Sequence, residues 1–199
     1  MTLLNEFIAR TRGFTFTELL LALALTATLA GIAIPVMNDV ADELRTASAA
    51  RYLAGQIRSG RMDAVKRSAS VGLRFEPAPV DYTFALYIDA NRNGVRAADI
   101  ARGIDRALTP RQQLRDRFAG VQFRLGAGLP DADGVAGGAT DGVRIGPARI
   151  LTTSPDGTAT SGTLYVRGRR AQYAVRVLGA TGRTRVLKYD TGSRSWSGR

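Results

Sequence analysis

From Leu19 to Met37 the chain runs nineteen residues without a charge, long enough as a helix to cross roughly 30 Å of hydrocarbon. Beyond it Val36, Val40, Leu44, Ala47, Ala50, Leu53, Ile57 and Val65 recur mostly at spacings of three and four, the mark of one apolar helix face. Asp42, Arg45, Arg58, Arg61, Asp63 and Arg67 fall on the opposite, solvated face, with Asp63 and Arg67 spaced for an i,i+4 ion pair. One helix is therefore predicted over 14–68, with 14–37 as its membrane-embedded part. Pro35 interrupts its hydrogen bonding and predicts a bend that Gly31, one turn earlier, eases.

After Ser70 the period changes to two. Strands are predicted at Val71–Glu76, Tyr82–Asp89, Val121–Leu125, Thr163–Val166, Ala171–Leu178 and Arg183–Tyr189. Seven glycines and several aspartates between Gly126 and Gly146 read as a surface loop without chemistry of its own. The fold class is α+β: a long amino-terminal helix packed on an antiparallel β-sheet head over 69–199.

Charge adds a direction and a partner. Arg10 and Arg12 precede the apolar run, and basic residues favour the cytoplasmic side, which puts the head across the membrane. Glu18 lies at the start of the run, where a carboxylate costs up to about 3 kcal/mol depending on depth; it sits at the interface or it has a partner. The 199 residues hold 28 Lys+Arg against 17 Asp+Glu. From Thr160 onward nine basic residues face only Asp190, so most of the net charge of +11 collects at the carboxy end. A positive end of that kind predicts an anionic partner.

The composition excludes much catalysis. With no Cys and no His there is no thiolate or imidazole nucleophile, no Ser-His-Asp triad, no ordinary zinc site and no disulfide. Lys66 and Lys188 are the only lysines, and neither follows a Ser by three residues. No enzyme and no cofactor are expected.

The segment Arg12-Gly13-Phe14-Thr15-Phe16-Thr17-Glu18-Leu19-Leu20 resembles the cleavage and methylation motif of type IV pilins and type II secretion pseudopilins. The resemblance implies a leader, 1–13, removed by a prepilin peptidase between Gly13 and Phe14, with N-methylation of Phe14. It gives Glu18 a partner, the terminal amine of a neighbouring subunit during filament assembly, and it implies a lollipop architecture. The chain would cross the inner membrane once with its head in the periplasm, then join other pilins in a filament at the cell surface.

The stretch from Ile150 to Tyr189 resembles the head of the FimT/GspH group of minor pilins and pseudopilins, where a Ser-Pro-x-Gly turn precedes a strand and a Gly-Arg turn opens the last strand. Gly182-Arg183-Thr184-Arg185 matches the Gly-Arg-x-Arg motif with which the FimT side of that group binds DNA in natural transformation. The resemblance implies non-specific DNA binding by Arg183 and Arg185 beside Gly182, helped by Arg176. Arginine suits the task because its planar fork grips phosphate oxygens in pairs. The alternative is a GspH-like minor pseudopilin at the tip of a type II secretion filament.

Pairing around Gly179-Ala180-Thr181-Gly182 sets Leu178 opposite Arg183, Val177 opposite Thr184 and Arg176 opposite Arg185. Two opposed arginines repel, so either the register differs or the site expects an anion. Arg167, Arg169 and Arg170 in the preceding turn, and Lys188, either extend a phosphate track or are simply solvated. Tyr189 and Trp196 stack bases or, more ordinarily, cover a sheet edge. Asp89-Ala90-Asn91-Arg92-Asn93-Gly94 begins like a calcium loop, but Ile100 stands where a bidentate Glu belongs and Arg92 and Arg96 repel a cation. No metal is expected, and Asn93-Gly94 reads as a turn.

Overall fold

The computed structural model describes residues 13–135 and 140–198. The expected leader, with Glu6, Arg10 and Arg12, lies outside the described residues except for Gly13. The fold is α+β, and the chain divides into two compact units, one ending at Val40 and one beginning at Ala41.

The first unit holds the start of helix α1, which runs Phe16–Arg67 without interruption through Pro35. Its first turn is closed by Thr15 and Glu18. The Glu18 Oε2 accepts the Thr15 amide at 2.8 Å and the Thr15 hydroxyl at 2.9 Å, while the Glu18 amide reaches the Thr15 Oγ1 at 3.3 Å. This Thr-x-x-Glu pattern is a capping box, which satisfies helix-start amides that lack an intrahelical acceptor. Within the apolar run, the Thr26 and Thr28 hydroxyls donate to the carbonyls of Ala22 and Ala24, so neither needs water. This part of α1 is long and apolar enough to cross a membrane, and none of it is buried.

In the second unit α1 buries Ala47, Ala49, Ala50, Leu53, Ala54, Ile57, Gly60 and Ala64. The apolar face differs from the predicted one at both ends. Val36, Val40, Leu44 and Val65 are exposed, whereas Asp42, assigned to the solvated side, is only 6% exposed. The buried stripe is made mostly of alanine and glycine because the sheets approach the helix closely there. A Cβ on Gly60 would stand 3.0 Å from Leu86. Asp63 and Arg67 do pair, at 3.9 Å, on an exposed surface where such pairs contribute little.

Among the described residues the head holds eleven strands and two short helices: β1 Val71–Pro77, β2 Tyr82–Ile88, α2 Ala97–Ala101, β3 Arg106–Ala107, β4 Gln112–Gln113, α3 Leu114–Arg117, β5 Gln122–Phe123, β6 Val143–Arg144, β7 Ile150–Thr153, β8 Gly162–Arg167, β9 Gln172–Leu178, β10 Arg183–Asp190 and β11 Ser195–Gly198. They form two antiparallel sheets. One is ordered β3-β2-β1-β7 with β4 beside β2, the other β11-β10-β9-β8-β5 with β6 beside β8. The predicted strands are present, the one at Val121–Leu125 shortened to Gln122–Phe123. The predicted glycine loop, however, contains β6, whose Val143 joins the core with Ile145. Gly142 permits this, since a Cβ there would stand 2.2 Å from the Phe123 carbonyl carbon.

One core unites α1 with both sheets. Leu53 and Ile57 of the helix cluster with Phe75 and Phe84 of the first sheet and with Phe123, Leu164 and Val175 of the second. Phe123 meets the rings of Phe75 and Phe84 edge-on at 5.4 and 5.8 Å, the orientation ring quadrupoles favour. A smaller cluster of Leu125, Tyr165 and Ala174, flanked by Leu129, Leu187 and Trp196, covers the other face of the second sheet.

Candidate nucleic-acid interface

Strands β9 and β10 pair in the predicted register, with Arg183 opposite Leu178, Thr184 opposite Val177 and Arg185 opposite Arg176. Side chains alternate along a strand. Val175 and Val177 of β9 and Val186 of β10 point toward the helix-side core, so Arg176, Arg183 and Arg185 share the outer face with Ala174 and Leu187. The row extends further. Arg176 opposes Thr163 of β8, and Thr163 opposes Arg144 of β6, which places three arginines along one line across four strands.

The like-charge conflict in that row is met by carboxylates of the chain itself. Arg176 Nη2 contacts Asp133 Oδ1 at 2.5 Å and its Nη1 donates to the Ala132 carbonyl at 3.3 Å. Arg144 reaches Asp131 at 3.3 Å. Both acids come from the glycine-rich segment, so the expectation that this segment carries no chemistry is corrected: it supplies the anions for two arginines. The segment is held there by Tyr165, whose hydroxyl accepts the Ala132 amide at 2.9 Å, and by Trp196, whose indole N–H donates to the Pro130 carbonyl at 3.0 Å. Burial is the main reason that the Tyr165 hydroxyl titrates above its ordinary range.

Arg183 and Arg185 are exposed, and among the described residues neither is joined to a carboxylate. The turn before them is tightly constrained. Gly182 is buried with a φ of 58°, and a Cβ there would stand 2.5 Å from the Gly157 carbonyl oxygen. A side chain at 182 is excluded on both counts.

The other basic residues are divided. Lys188 lies on the helix-side face and forms an ion pair with Glu43 of α1, which also accepts a 3.4 Å bond from the Tyr173 hydroxyl. Lys188 is thereby a tie between β10 and α1. Arg167, expected in the turn, ends β8 opposite Gln172, while Arg169 and Arg170 lie in the β8–β9 turn, whose backbone is gripped by Asp42. Its carboxylate accepts the amides of Arg169, Arg170 and Ala171 at 2.8, 2.9 and 3.1 Å. Burial raises the affinity of that carboxyl for a proton, but the three amides outweigh it and hold Asp42 below the usual carboxylate range. Gly168 makes room, since a Cβ there would meet Thr46 Oγ1 at 2.2 Å and Asp42 Oδ1 at 2.5 Å. Arg167 and Arg169 also line a cleft of about 570 Å³ with Arg124.

Tyr189 is 7% exposed and meets Trp196 at 5.2 Å between ring centroids. The two pack on the sheet, Tyr189 buried and Trp196 half-buried. In the Asp89–Gly94 loop, Asp89 Oδ1 accepts the Asn91 and Asn93 amides and Oδ2 the Gly94 amide. Asp99 receives the Asn93 side-chain amide at 3.0 Å and Arg102 at 2.6 Å. Gly94 adopts a φ of 84°, as an Asn-Gly turn requires.

Comparison with known proteins adds one similarity. The pilin-like protein PilA1 of Thermus thermophilus is 39% identical over 83 residues, 41% of this chain and 51% of that protein. This supports a type IV pilin-like protein. The chain spans about half the length of the relative it matches. No family model matches it, and neither does any solved structure. For a pilin-like head, the features that sequence reasoning missed are Asp42, Asp131 and Asp133. No local pattern announces them, because the groups they bind lie far along the chain. The Thr15–Glu18 cap was readable from its Thr-x-x-Glu spacing.

Proposed function

We propose that this chain is a minor pilin of a type IV pilus whose head binds DNA without sequence preference, in the manner of the FimT proteins its carboxy end resembles, for uptake in natural transformation. One observation carries the reading: Arg183 and Arg185 stand exposed on the outer face of β10, without carboxylate partners among the described residues, directly after a turn whose glycine cannot be replaced without strain. Two forks on alternate positions of a rigid strand suit adjacent phosphates and offer nothing that reads base edges. Arg167, Arg169 and Arg170 lie at the far turn of the same sheet and would extend contact with a longer duplex.

The amino end belongs to the same proposal. A prepilin peptidase cuts after Gly13 and methylates Phe14, 14–37 anchors the chain in the inner membrane, and the head, 69–199, stands in the periplasm until assembly. Glu18, already hydrogen-bonded to Thr15, then offers its free oxygen valences to the terminal amine of a neighbouring pilin.

The test is DNA binding by the full chain in detergent micelles, titrated at several salt concentrations beside Arg183→Ala/Arg185→Ala. Wild type should bind with a clear salt slope, and the double variant should bind less tightly with a slope shallower by about 0.9 per lost duplex phosphate contact. Equal binding by both removes the motif from the site. Absence of binding by either at low salt turns the reading to a GspH-like pseudopilin of a type II secretion filament.

A further inference from the structure

The two turns that carry the head's sequence signatures lie against each other in the folded chain. Gly157 ends the Ser154-Pro155-Asp156 turn with a φ of 88°, and Gly182 ends the β9–β10 turn with a φ of 58°. One side chain rests on both of them, Arg61 of α1. Its Nη2 lies 2.9 Å from the position a Cβ would take on Gly157, and its Cζ lies 3.7 Å from that position and from the corresponding one on Gly182. Glycine at both places is what lets the guanidinium come so close to two backbones.

Arg61 is half-buried, yet among the described residues no carboxylate pairs with it. The acid nearest in sequence and the acid of the adjoining turn are engaged elsewhere. Asp63 faces Arg67, and Asp156 Oδ1 accepts the Thr158 amide and hydroxyl at 2.9 and 2.8 Å. A cation that has lost part of its hydration without gaining an anion is unfavourable in the free protein, and an incoming anion reverses that cost. It stands at the turn that launches Arg183.

We infer that Arg61 is a third phosphate ligand of the proposed DNA site, so that a phosphodiester backbone held by Arg183 and Arg185 on β10 continues around the Gly157–Gly182 junction to α1. The inference rests on the DNA-binding reading and extends the site from one strand to two elements. It gives the helix a part in recognition that the Gly-Arg-x-Arg motif does not include.

The experiment uses the full chain in detergent micelles with a labelled duplex, compared over a salt series for Arg61→Gln, Arg61→Lys, Arg58→Gln and Arg183→Ala/Arg185→Ala. Arg61→Gln should bind several-fold more weakly, with a slope shallower by about 0.9, the loss of one duplex phosphate contact. Arg61→Lys should restore the slope but not the full affinity, because the bidentate fork is gone. Arg58, exposed on the same helix, should be neutral, and Arg61→Gln should keep or raise the Tm, since no internal partner is lost.

If the β10 double variant loses binding while Arg61→Gln does not, the inference falls and the DNA reading stands. If Arg58→Gln and Arg61→Gln weaken binding equally, the effect is diffuse charge and the inference falls. Should Arg61→Gln unfold the head, Arg61→Lys decides, and affinity equal to wild type at every salt overturns the inference. No binding by wild type ends the DNA reading itself.

Discussion

At Asp42 a single carboxylate accepts three consecutive amides of the β8–β9 turn. Asp42→Ala leaves those amides without their acceptor and should cost about 2–3 kcal/mol of head stability, read by chemical denaturation. The folded-state pKa is depressed, so this stability is fully present above the ordinary carboxylate range and is lost as pH falls through and below it. Asp42→Asn should flatten that part of the acid profile.

Asp81 has the opposite sign. It is 9% exposed, its Oδ1 accepts the Phe123 amide at 3.0 Å and its Oδ2 has no hydrogen-bond partner among the described residues, so burial raises its pKa. The folded state holds the proton more tightly there, and the benefit present at low pH is lost as pH rises through the folded pKa. Asp81→Asn keeps the Oδ1 acceptor and should stabilise the head at pH 7 relative to wild type while changing little near pH 3, as thermal unfolding at the two pH values would report. In the sequence, Asp42 and Arg61 looked like members of one polar stripe. Which of them is buried is decided by partners roughly a hundred residues away or more, so no local spacing could separate them.

Among the elements, the β9–β10 hairpin was the most legible, because a four-residue turn and a period of two leave little choice of register. The glycine-rich segment was the least legible. Its composition hides β6, and two of its aspartates, Asp131 and Asp133, acquire meaning only when the strands bring Arg144 and Arg176 beside them. If the carboxylate of Asp133 occupies Arg176 in place of a phosphate, Asp133→Asn should raise DNA affinity and steepen the salt slope by about 0.9. An unchanged slope would mean that Arg176 serves only the fold. The helix face was half legible, since the hydrophobic count favoured Val36, Val40 and Leu44, while the sheets selected alanine and glycine for close approach.

The molecule as a whole was readable in outline from the change of period near Ser70, yet the compact unit begins at Ala41 and not at the end of the helix. Leu53 and Ile57 belong to the core of the head as much as Phe75 does. A chain starting at Ala41 should therefore give a cooperative thermal transition by circular dichroism, and one starting at Ala69 should give none. That the carboxy end carries most of the charge was plain in the composition. How much of it is already neutralised by Asp133 and Glu43 was not.

The same Asp42 contact spans 127 residues of chain to Arg169. At about 5–20 residues per second of synthesis, the carboxylate waits on the order of 6–25 s before the amides it binds have been made. Through that interval the alanine stripe of α1 can meet β1 and β2 but lacks most of the second sheet, and the head can close only after its last third emerges. Time spent open during manufacture, rather than strength once closed, is where this topology is most exposed to error.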